Sequence, residues 1–191
     1  MSFDLKDAER AFKPQKGTAG LQARPKAALR WATNETKTGG PILLDATVYI
    51  DTLQGKAPAE IDDLLRYRSV FHSAVALAEL THAFGRLDPK DPRTRKALTA
   101  IGGTIEDDIP RHRLFEPDTK TWGEAGMLAG KVLRLAELPT GQGLERKLLN
   151  DSLIYLQARR IGAAVLTRNR RDFDLLNQAA PAGSVIFYAL L

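Results

Sequence analysis

Short, wholly apolar runs that alternate with helical segments constrain this chain more than any other feature. Ile42-Leu43-Leu44 runs straight into Asp45, and Ala163-Ala164-Val165-Leu166 leads into Thr167 after a break at Gly162. Apolar runs without polar alternation suit strands covered on both faces, which belong to parallel sheets with helices on each side. Weaker runs at Val70-Phe71, Arg113-Leu114-Phe115 and Ser184 to Tyr188 supply further strands. Between them the pattern is helical: Ala46 to Leu53, Pro58 to Tyr67, Ala74 to Phe84 capped by Ser73, Pro92 to Asp107, Asp118 to about Leu138, Leu144 to Ile161, and Arg171 to Leu176. The alternation predicts an α/β sandwich with a mostly parallel central sheet.

Residues 1–40 differ in kind. Pro14, Gly17, Gly20, Pro25, Gly39 and Gly40 leave room for two brief helices, around Leu5 to Phe12 and Lys26 to Trp31. This stretch carries eight Lys/Arg against four Asp/Glu, whereas residues 41–191 carry twenty against nineteen. It is therefore expected to be a basic N-terminal arm, dispensable for folding, on a nearly neutral domain spanning 41–191. Such an arm can meet nucleic acid or an acidic partner, although a solvated tail is the commoner explanation.

Composition removes several function classes. With 191 residues and 43% hydrophobic content the chain can bury one core. It has no cysteine and only three histidines, so thiolate chemistry is excluded, a zinc centre is disfavoured, and any metal has to be held by oxygens. Charges fill the first residues, and no apolar run has the length to span a bilayer, so no membrane association and a cytoplasmic location are expected.

Ligands of an open parallel sheet sit beyond the carboxyl ends of its strands. Asp45 follows a buried strand directly, Asp172 follows the strand ending at Thr167, and Glu79 and Asp151 lie on helices. Leu144, Leu148, Asp151 and Tyr155 share one stripe, and Val75, Ala76 and Ala83 surround Glu79 at helical spacing. A single carboxylate on an apolar face is ordinarily a hydrogen-bonded interface residue. Four at one end of a sheet repel one another and call for compensation, which a hard divalent ion such as Mg2+ or Mn2+ supplies. Such an ion activates water for phosphodiester hydrolysis.

On these residues the chain resembles the PIN-domain ribonucleases, most closely the VapC-like toxins of bacterial toxin–antitoxin pairs. ILLDATVYID matches the opening strand, Asp and helix; SAVALAEL matches the Ala-Glu-Leu helix; NDSLIYLQARRIGA and LTRNRRDF match the last two segments. The resemblance spans residues 41–191 and implies a PIN-like three-layer sandwich. It also implies catalytic and metal-ligating roles for Asp45, Glu79, Asp151 and Asp172. Thr167, Arg168, Asn169 and Arg170 are brought to the same site as expected substrate-binding residues, Arg168 and Arg170 as phosphate contacts. A metal-dependent endoribonuclease follows, with an RNA substrate, a cognate antitoxin and a homodimer. A non-catalytic RNA- or protein-binding module and a DNA-directed nuclease are the alternatives. Glu79 and Asp151 lie 72 residues apart, which implies extra helical material between them.

The remaining singled-out residues have plainer expectations. Arg159 and Arg160 suit a helix end, where cations favour the dipole. Asp51 is expected at the surface or behind the site, His82 is a candidate to orient Glu79, and Trp31 and Trp122 are expected to pack. The Asp45-Ala46-Thr47 run lacks the second Asp of an aspartyl-phosphate phosphatase, and there is no Gly-rich phosphate loop.

Overall fold

The computed structural model describes residues 2–17, 20–139, 141 and 143–190, the side chain of Arg93 excepted. In chain order the elements are α1 (Leu5–Phe12), β1 (Ile42–Leu44), α2 (Ala46–Leu53), α3 (Ala59–Tyr67), β2 (Val70–Ser73), α4 (Ala74–Arg86), α5 (Pro92–Gly103), β3 (Leu114–Phe115), α6 (Thr119–Leu135), α7 (Leu144–Arg160), β4 (Ala164–Thr167), α8 (Arg170–Ala179) and β5 (Ser184–Phe187). A wider-wound turn, Thr104–Asp108, continues α5.

The strands form one sheet in the order β3-β2-β1-β4-β5, and every neighbouring pair is parallel. Every residue of β1 and β4 is buried, as their unbroken apolar runs require. The chain steps outward from β1 to β2 and β3, then returns to lay β4 on the other side of β1. With right-handed crossovers this reversal puts the helices on both faces and opens a crevice at the carboxyl ends of β1 and β4. Ile42, Leu43 and Leu44 register with Ala164, Val165 and Leu166, so Asp45 and Thr167 leave the sheet side by side.

Ser73 and Asp118 cap α4 and α6 as expected, accepting from the Val75 and Thr121 N–H groups. Helix α8 is longer than the expected Arg171 to Leu176. Its buried stripe continues to Ala179, and its late polar residues have partners: Asn177 accepts from the Tyr155 hydroxyl, and Gln178 donates to Asp174 and to the Gln22 carbonyl.

The described part of the first forty residues is laid against the domain. Helix α1 packs on α6, with Ala8 and Phe12 buried. The Phe3 ring lies so close to Gly123 that a Cβ there would clash with it, which accounts for a glycine inside α6. Leu29 and Ala32 join the common core, and the Phe187 N–H donates to the Arg30 carbonyl at 2.8 Å, pairing Trp31 with β5. Arg24 binds the fully buried Asp174 through both its Nε, at 2.7 Å, and its backbone N–H, at 2.6 Å. These contacts weigh against the expectation that this segment is dispensable for folding. Its charge is also partly used internally, with Arg30 on Glu35 and Lys37 on Asp63.

Candidate functional site

Asp45 ends β1 and begins α2, buried at 3% exposure. The hydroxyls of Thr47 and Thr167 each donate to its Oδ2 at 2.7 Å. Burial nevertheless wins, and its pKa lies above the ordinary carboxylate value despite those hydroxyls and the N–H dipoles of Ala46 and Thr47. Thr167 is fully buried and accepts from the Asn169 N–H at 2.9 Å. It therefore ties the first carboxylate to the loop after β4 and is placed to position Asp45.

Asn169 carries the link onward. Its Nδ2 donates to Asp151 at 2.9 Å and to Asp172 at 3.0 Å, so one neutral amide spans carboxylates from α7 and α8. Asp151 is 4% exposed, and burial, then the charges of Asp45 and Asp172, push its pKa well above the usual range. Asp172 is buried too, but the Lys147 ammonium donates to it at 2.6 Å and, with Asn169, more than offsets the burial, leaving its pKa lowered. Glu79 approaches from α4, half-buried, and accepts from Asn150 Nδ2 at 2.9 Å; burial still raises its pKa. The four acidic residues singled out in the sequence thus lie along the carboxyl edge of the sheet, near enough to influence one another's charge.

Arg168 is exposed, but its guanidinium is anchored. Its Nε and Nη2 donate to Asp51 at 2.7 and 3.2 Å, and the Tyr188 hydroxyl donates to the same carboxylate at 2.7 Å. Asp51 is accordingly buried at 1% exposure, the behind-the-site position among the two expected. Arg170 opens α8, half-exposed, and its side chain has no ion pair with any described residue. His82 is exposed and forms no hydrogen bond to Glu79, whose donor is Asn150. Trp31 packs on Phe187 as expected; Trp122 is 50% exposed, against expectation, because the crossing of α6 with α7 turns its neighbours Thr121 and Ala125 inward instead.

Two participants were missed in the sequence. Lys147 stands four residues before Asp151 on α7, a spacing that marks a shared face. Asn150, adjacent to Asp151, gave no comparable signal because its partner lies 71 residues away.

The donor set is all oxygen, it is desolvated, and its described hydrogen-bond donors bring one ammonium to four carboxylates, which fits a hard cation by chemistry. In the arrangement present, Lys147 is bonded to Asp172 and Asn169 bridges Asp151 and Asp172, and among the described residues no three His, Asp or Glu side chains are grouped to ligate one ion.

No family model matches the sequence, and no curated protein matches it significantly. Solved structures do match in shape. DNA-bound VapBC from Salmonella typhimurium aligns with a TM-score of 0.54 at 21% identity, covering 77% of this chain and 97% of that one. FitAcB from Neisseria gonorrhoeae aligns at 0.52 and 18% identity, covering 76% and 96%. VapBC2 from Rickettsia felis, bound to a DNA fragment from their promoter, aligns at 0.51 and 14%, covering 76% and 96%. The chain has a PIN-like fold. In this PIN-like domain the four carboxylates occupy the carboxyl-edge crevice between β1 and β4, and among the described residues no helix is long and apolar enough to cross a membrane.

Proposed function

We propose that this chain is a Mg2+- or Mn2+-dependent endoribonuclease, the toxin of a type II toxin–antitoxin pair, acting in the cytoplasm as a homodimer and restrained by a cognate antitoxin. The observation that carries the reading is Asp151, 4% exposed among three other carboxylates and bonded to a neutral amide. A buried anion in such company is costly unless a cation joins it. The sequence matches NDSLIYLQARRIGA and LTRNRRDF, together with the shared fold, support the toxin assignment.

Asp45, Glu79, Asp151 and Asp172 would hold the ion, which would supply an acidified water and a stabilised leaving oxygen. Thr47 and Thr167 orient Asp45, Asn169 fixes the spacing of Asp151 and Asp172, and Lys147 keeps Asp172 charged. Arg170 and the remaining Nη1 of Arg168 would contact RNA phosphates.

The Lys147–Asp172 pair favours a second reading, a PIN-like binding module whose edge is compensated by its own side chains. Cleavage of RNA and DNA by the wild type and by Asp151→Asn, in Mn2+ and in EDTA, separates the readings. The nuclease cuts RNA in Mn2+ only and loses about 100-fold or more on substitution while staying folded. A folded Asp151→Asn variant that cleaves as well as wild type overturns the assignment, and preference for DNA corrects the substrate.

A further inference from the structure

The acidic edge has a counterpart at the amino edge of the sheet. A cavity of about 300 Å3 opens where β1, β4 and β5 begin, beside Pro41, Ala164 and Ser184. Three arginines from separate stretches line it: Arg30 of the N-terminal segment, Arg68 just after α3, and Arg159 in the last turn of α7. Gly40 and Gly162, where an added Cβ would meet nothing, leave part of the wall bare of side chains.

One carboxylate answers them. Glu35 accepts from Arg30 Nε and Nη2 at 2.5 and 2.6 Å and from Arg68 Nη2 at 2.8 Å. Arg159 pairs with no carboxylate among the described residues, so the cavity keeps two positive charges in excess of Glu35. Arg68 is the telling member. Its side chain is 2% exposed and its Nη2 also donates to the Thr36 carbonyl, yet its Nε–H has no acceptor among the described residues, where a buried guanidinium ordinarily has every N–H satisfied. Complementing the dipole of α7 accounts for Arg159 alone; it does not account for a buried arginine on another element.

We propose that this cavity is a phosphate-binding site. Planar guanidinium forks match phosphate oxygens in pairs, and three of them around one cavity outnumber what Glu35 neutralises. The Ser184 hydroxyl, which accepts from Arg30 Nη1 at 2.7 Å, keeps its own proton to donate. The phosphate is either a terminal monoester, as on a nucleotide or an RNA 5′ end, or a backbone diester. The site is independent of any chemistry at the carboxyl edge, since the strands separate the two.

Calorimetric titration of the full chain in EDTA tests it, with inorganic phosphate and then one short RNA in 5′-phosphorylated and 5′-hydroxyl forms. Phosphate binds saturably, and Arg159→Gln weakens it about tenfold, as loss of one guanidinium contact predicts. Lys56→Gln, which removes the same charge from an exposed loop, leaves it unchanged. RNA binding that depends on both Arg159 and the 5′-phosphate identifies a terminal monoester; equal, Arg159-dependent binding of both forms identifies the diester. Absence of saturable phosphate binding, or equal weakening by Arg159→Gln and Lys56→Gln, overturns the site.

Discussion

The Lys147 ammonium donates to Asp172 at 2.6 Å, while Asp151, one turn further along the same helix, receives the neutral amide of Asn169. The cation thus serves the carboxylate from α8, and Asp151 is left with the larger electrostatic burden. Its raised pKa means that the folded state holds a proton more firmly than the unfolded chain, so ionisation costs stability as pH rises through the folded value. In EDTA, Asp151→Asn is expected to melt level with wild type or several degrees higher, the gap widening from pH 5 to pH 8. Thermal melts across that range check it, and a mutant that melts well below wild type at pH 8 would show that Asp151 stabilises the fold.

Thr167 touches Asp45 and the Asn169 N–H, with no surface of its own, so its role is positioning. Thr167→Val keeps the shape and removes both bonds, which costs about 1 to 3 kcal/mol of stability. If the edge is a nuclease site, kcat falls about tenfold or more with KM little changed. Steady-state kinetics beside urea unfolding separate this from substrate contact, which would raise KM instead.

Phe12 measures how far the N-terminal segment belongs to the core. It is 3% exposed, and its carbonyl accepts from Lys131 at 2.8 Å. Phe12→Ala should cost about 3 to 5 kcal/mol, and removal of residues 1–40 should cost more, since Leu29, Ala32 and the Arg24 bond to Asp174 go with it. Equilibrium unfolding of the three proteins decides; a truncated chain as stable as the whole would show that the segment merely rests on the surface.

His72 gives the fold a sensitivity to mild acid. Its Nδ1 is hydrogen-bonded with the Tyr49 hydroxyl at 2.6 Å in a cavity also lined by Arg113 and Asp108. Burial, and then the Arg113 charge, lower its pKa to about 4. The unfolded chain binds this proton more readily than the folded one, so the contribution is fully present above about pH 6.5 and is lost as pH falls toward 4. The loss is on the order of 2 kcal/mol, and His72→Gln should flatten that part of the profile. Urea midpoints of both proteins from pH 7.5 to pH 4.5 test it, the prediction failing if the two slopes coincide.

How much of this was legible in the sequence depended on the range of the interaction. Ile42 to Leu44 and Ala164 to Thr167 announced buried strands by local composition, and Asp45 and Asp172 were fixed at the edge by following them. Asp151 stood out because a carboxylate on an apolar stripe breaks a local rule. The integration of the first forty residues was hidden, because what holds them is distant: Arg24 finds Asp174, Phe3 finds Gly123, and Arg30 finds Phe187. Their prolines and glycines resembled a tail, and charge counting could not tell a solvated arginine from one spent on a buried partner. Lys147 was within reach of helical spacing, whereas the sharing of one amide by Asp151 and Asp172 depended on where the loop after β4 turns.

The pairing of Trp31 with Phe187 sets how this molecule can recognise other chains. At the end of β5, a strand of four residues, the Phe187 N–H is already taken by the Arg30 carbonyl, and at the opposite margin β3 is a strand of only two residues. Neither margin offers a long row of unfilled amides on which a foreign strand could grow. Recognition therefore falls to side chains on helices and loops, where identity is written in shape and charge. A few surface substitutions should then suffice to trade one companion for another, while the sheet and everything fastened to its two ends stay as they are.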